Sequence, residues 1–114
     1  MTINNSFFSS RRSVTAKKMS ANSIDSNDLD KILAAGIRVP DHGALNPWKL
    51  VVLQGMRLKQ LDEEVILTEF KKDNPEASQG EIEIESSRLQ RGGAVIAVLS
   101  QPVDHPKIPL WEMQ

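Results

Sequence analysis

Residues 29–53, LDKILAAGIRVPDHGALNPWKLVVL, carry the pattern from which the fold is read. Leu29, Ile32, Leu33 and Ile37 recur at helical spacing, and Ser26-Asn27-Asp28 just ahead of them offers N-cap chemistry. Pro40 disfavours α conformation in the residue before it, so this helix is predicted to stop near Val39. Asp41-His42-Gly43 and Asn46-Pro47 continue the break as a loop. Leu50-Val51-Val52-Leu53, closed by Gly55, is a short continuous apolar run that suits a strand covered on both faces.

Working outward, Met56 to Phe70 reads as a helix with Leu58, Leu61, Val65 and Phe70 on its inner side, ended by Asp73-Asn74-Pro75. Between Ser78 and Arg91, Glu81-Ile82-Glu83-Ile84-Glu85 alternates like a strand but lies among good helix formers, and helix is the predicted state. Gly92-Gly93 breaks the chain before a second apolar run, Ala94 to Leu99. Pro102, Pro106 and Pro109 keep the next segment extended, and Leu110 to Gln114 opens another helix. The order helix, strand, helix, helix, strand implies an α/β or α+β sheet with helices against it, and α+β, a mixed sheet flanked by helices, is the prediction. The chain reads as one domain over residues 1–114, with 1–10 flexible. Two strands make a poor sheet, so the fold is expected to be incomplete at its C-terminal side.

Composition narrows the function. A chain of 114 residues has room for one domain, and its 39% apolar and 25% charged content is that of a globular protein. A net charge of −1 argues against a broad nucleic-acid footprint or strong membrane attraction. The absence of cysteine excludes disulfides and thiolate chemistry and fits a reducing cytoplasm. No apolar run approaches the ~20 residues of a membrane helix. The charge is uneven: Arg11, Arg12, Lys17 and Lys18 precede the first carboxylate, Asp25. A basic, Ser-rich start can be a transit peptide or an anion site.

Three short segments could carry chemistry. Arg11-Arg12-Ser13 sets two guanidiniums beside a hydroxyl and can hold a phosphate, or is a solvated basic tail. Arg38 and His42 flank the Pro-fixed loop, where a cation and a hydrogen-bond donor could meet a ligand or simply be satisfied locally. Trp48, after the Asn46-Pro47 turn, is expected to pin the loop against the core. His42 and His105 lack metal-ligand spacing, Gly92-Gly93 precedes a strand instead of opening a helix, and no G-x-S-x-G elbow exists. No catalytic acid, base or nucleophile stands out.

Taken in order, these segments resemble the nitroreductase family. Arg11-Arg12-Ser13-Val14 is similar to the family's opening "RRSV", and residues 29–40 to its "L..IL.AG.RAP" helix and stop. Asp41-His42 with Asn46-Pro47-Trp48, and His105 to Glu112, resemble the "APDH…PW.F.V" and "HKVP.WE" segments of its short branch. The resemblance implies a homodimer binding FMN at the subunit interface, with NADH or NADPH as hydride donor and nitroaromatics, quinones and related electron-poor substrates as acceptors. It implies that Arg11, Arg12 and Ser13 hold the FMN phosphate and ribityl chain, and that Arg38 and His42 contact the flavin. Hydride transfer is then the cofactor's chemistry, which accounts for the lack of a catalytic constellation. Ala44 and Thr15 stand where many relatives have hydrogen-bonding or cationic side chains. Two other readings remain open: a remnant of the fold without turnover, and a module binding an acidic partner through its basic N-terminus.

Overall fold

The computed structural model describes residues 5–114. Among them, helix α1 (Asn5–Ser10) leads through a 3-10 turn (Ala16–Lys18) to α2 (Ser26–Gly36). A second 3-10 turn (His42–Ala44) precedes strand β1 (Trp48–Leu53). Then come α3 (Met56–Leu61), a π turn (Asp62–Ile66), α4 (Leu67–Asp73) and α5 (Gln79–Glu85). A 3-10 turn (Leu89–Arg91), strand β2 (Val95–Ser100) and a last 3-10 turn (Leu110–Met113) complete the order. Helices around a small sheet make this the α+β architecture that the sequence predicts. Of the start expected to be flexible, residues 1–4 lie outside the described residues, while Asn5–Ser10 is helical.

The strands pair antiparallel, from Trp48 against Ser100 to Leu53 against Val95. Neither is covered on both faces as the apolar runs suggested. β1 is half-buried except for exposed Lys49, and β2 becomes exposed from Val98 onward. The runs are apolar enough for two covering layers, but the described elements supply only part of that cover. Total exposed surface is 9210 Å², against about 6,200 Å² for a compact monomer of 12.7 kDa. The radius of gyration, 18.2 Å, likewise exceeds the about 13 Å usual for this length. Among the described residues, buried apolar side chains are correspondingly few: Leu29, Pro47, Leu58, Ile108 and Met113.

Local chemistry explains the starts of α2 and α5. α2 is capped by Asp25, one residue before the predicted cap; its carboxylate accepts from the backbone N–H groups of Asn27 (2.9 Å) and Asp28 (3.3 Å). Leu29 packs inward, but Ile32 and Ile37 on the same stripe stay about half exposed, at 50% and 48%. α5 settles the ambiguous stretch as helix through a capping box. Ser78 Oγ accepts from the Glu81 backbone N–H, and the Glu81 carboxylate accepts from the Ser78 backbone N–H at 2.7 Å.

The helix predicted from Met56 to Phe70 is present, with a π turn inside it. One extra residue per turn rotates everything beyond it relative to a 3.6-residue period. Leu58 therefore stays buried, whereas Val65, expected inside, is 49% exposed and Ile66 and Leu67 turn partly inward.

Candidate functional site

The loop between α2 and β1 is built around a tight reversal. The Asp41 carboxylate accepts from the Asn46 backbone N–H at 2.8 Å, and the Asp41 carbonyl from the Ala44 N–H at 3.1 Å. Closing the loop this way puts Gly43, Ala44 and Asn46 at φ of 77°, 51° and 47°. Ala44 and Asn46 are thus non-glycine residues in the left-handed region, a strain that surrounding contacts must hold. Pro47 is buried and its carbonyl accepts from Gln101 N–H at 2.7 Å, which ties the loop's exit to the end of β2.

The C-terminal segment clamps this loop from outside. A Cβ on Gly43 would lie 2.6 Å from Ile108 Cδ1, the end of a side chain that would have to turn aside, and the φ of 77° itself favours glycine there. His105 Nδ1 accepts from the N–H groups of Lys107 and Ile108, both at 3.1 Å, and so shapes the turn that presents Ile108. Met113 is buried, and its Sδ accepts from Val103 N–H at 3.4 Å. Between these anchors, His42 Nδ1 meets Glu112 Oε2 at 2.7 Å. Trp48 is half-buried and lines two cavities. One, about 430 Å³, is apolar and lies between α2 and the sheet, against Leu33, Ile37, Leu50 and Ile96. The other, about 300 Å³, is flanked by Asp41, Glu112 and Met113.

The predicted binding residues fall into two groups. Arg11, Arg12 and Ser13 follow α1 and are exposed; Arg11 Nη1 donates to Ser13 Oγ at 3.5 Å and Arg12 Nη1 to the Arg11 carbonyl at 3.0 Å. Arg38 and His42 lie at the two sides of Pro40, both exposed. Among the described residues no carboxylate pairs with Arg11, Arg12 or Arg38. The structure joins the residues within each neighbourhood by local chain geometry, and among the described residues no hydrogen bond links one group to the other.

Two residues escaped the sequence reading. Glu112 gave no local signal, since its partner is His42, far away in the chain. Asp62 did give one, because it falls four residues after Leu58 on the inner stripe of a helix, an unusual place for a carboxylate. It is fully buried and accepts from Leu89 N–H, Gln90 N–H and the Gln90 side-chain amide. A further close approach lies at Gly93, where a Cβ would collide with the Asn22 carbonyl, so the segment leading into α2 crosses directly over the start of β2.

The sequence model described as the nitroreductase family matches residues 8–112. The chain belongs to the nitroreductase family. A Haemophilus influenzae (strain ATCC 51907 / DSM 11121 / KW20 / Rd) protein named "Putative NAD(P)H nitroreductase" is 30% identical over 100 residues. That match covers 84% of this chain and 51% of the relative, so the chain spans about half the length of the curated nitroreductase relative it matches. Among the described residues no helix is long and apolar enough to cross a membrane.

Proposed function

We propose that this nitroreductase-family chain forms part of an FMN-dependent NAD(P)H oxidoreductase that reduces nitroaromatic, quinone-type and related electron-poor small molecules. The observation carrying the proposal is that family membership coincides with three guanidiniums, Arg11, Arg12 and Arg38, that no carboxylate among the described residues neutralises. Unpaired guanidiniums beside the Ser13 hydroxyl fit a phosphate monoester, which takes charge-assisted hydrogen bonds from such a set. Arg38 and His42, on either side of Pro40 where a strained loop begins, fit the polar edge of a flavin ring. When bound, the flavin supplies two-electron hydride chemistry. The chain's own residues then bind the phosphate and orient the ring. The active form is a homodimer, as the family resemblance implies, and a chain without cysteine fits the cytoplasm as its location.

A second reading, a chain that keeps part of the fold without turnover, is favoured by the roughly 3,000 Å² of surface beyond that of a compact monomer. A visible absorption spectrum after incubation with FMN and desalting tests the first proposal, followed by NAD(P)H oxidation with a nitroaromatic or quinone acceptor. A retained flavin band with acceptor-dependent oxidation supports it. Flavin binding without oxidation favours the second reading, and a colourless protein removes FMN binding from this chain.

A further inference from the structure

We infer that Glu112 is a positioning residue for His42, fixing which imidazole nitrogen faces the ligand; this rests on the proposed flavin site. An ionised carboxylate has no hydrogen to give, so in the 2.7 Å contact His42 Nδ1 is the donor and Glu112 Oε2 the acceptor. Nε2 is then the ring nitrogen left for a ligand. In the neutral imidazole it is an acceptor, suited to an imide N–H such as the flavin pyrimidine ring carries. The sequence suggests His42 as a hydrogen-bond donor toward a ligand, whereas with Nδ1 donating to Glu112 the free nitrogen of the neutral ring is an acceptor.

Glu112 is equipped for this task. Its side chain is only 28% exposed, against 69% for His42, so it is the better-held partner. It belongs to a turn anchored by buried Met113 and preceded by buried Ile108, and Ile108 is the residue that presses on Gly43, next to His42. The same segment that grips the loop therefore supplies the carboxylate that orients its histidine. Second partners of this kind set histidine tautomer and ring orientation in binding sites generally.

Two measurements on the chain decide the matter. Long-range 1H–15N spectra of the imidazoles, recorded without flavin at a pH where they are neutral, are expected to show His42 in the Nδ1–H form. Glu112→Ala is expected to return it to the Nε2–H form usual for exposed histidine. Glu112→Gln, which keeps the side-chain volume should the alanine variant unfold, is expected to give a mixture, because an amide can donate as well as accept. An unchanged tautomer in both variants overturns the inference. In FMN titrations followed by flavin fluorescence, Glu112→Ala is expected to weaken binding about tenfold, the effect of one charged hydrogen bond. Adding it to His42→Ala should weaken binding no further, and additive losses would count against positioning. If the parent chain binds no FMN, the flavin proposal fails, and the tautomer spectra still judge Glu112.

Discussion

Asp62 holds Gln90 twice, accepting from its backbone N–H at 3.2 Å and from its side-chain amide at 3.0 Å. Leu89 N–H adds further bonds at 3.0 and 3.1 Å to the two carboxylate oxygens. The π turn that rotates Val65 outward begins at this residue. A fully buried carboxylate thus caps the 3-10 turn Leu89–Arg91 and ties the α3–α4 helix to the entrance of β2. A buried carboxylate is tolerated only when its lone pairs are filled, and here backbone and amide donors fill them.

Removing that acceptor strands half-buried N–H groups. Asp62→Ala is expected to lower stability by on the order of 3 kcal/mol, the cost of unsatisfied donors plus the lost charged hydrogen bonds. Asp62→Asn keeps one acceptor oxygen and is expected to lose less. Urea midpoints compared at constant m-value measure both; an Asp62→Ala midpoint equal to that of the parent would show that the network adds nothing.

Gly93 is a steric prediction. Gly93→Ala places a methyl group on the Asn22 carbonyl, so the segment before α2 must lift or β2 must shift. The expected loss is about 1–3 kcal/mol, as for overpacking. Amide exchange should accelerate first at Ala21 to Ile24. Acceleration confined to α4 would locate the strain elsewhere.

The capping box is a test of what makes α5 a helix. Ser78→Ala is expected to cost about 1 kcal/mol. Glu81→Ala should cost less when Ser78 is already alanine than in the parent, because the two bonds are reciprocal. Thermal unfolding of the two single variants and the double variant checks this, and strict additivity would argue that the bonds act separately.

The N-terminal cations give a binding prediction. Arg11→Ala and Arg12→Ala should each weaken FMN binding at least about tenfold, the value of one charge-assisted hydrogen bond. Both should leave riboflavin, which lacks the phosphate, almost unaffected. Equal losses for the two ligands would move these arginines off the phosphate.

Much of this fold was legible in the sequence because it is set by neighbours along the chain. Helical spacing from Leu29 to Ile37, the break at Pro40, the apolar runs of β1 and β2 and the Ser78–Glu81 box all act within a few residues. The sequence also carried the resemblance whose family the match over residues 8–112 establishes. The tertiary structure alone decided the rest. Short apolar runs look alike in any pairing, so the antiparallel register of Trp48 with Ser100 and the open faces of the strands could not be read from them. The π turn at Asp62 answers to donors on Leu89 and Gln90, and the orientation of His42 answers to Glu112, a contact across 70 positions. Local rules carry no information about partners that distant, because only the folded chain brings them within hydrogen-bonding range.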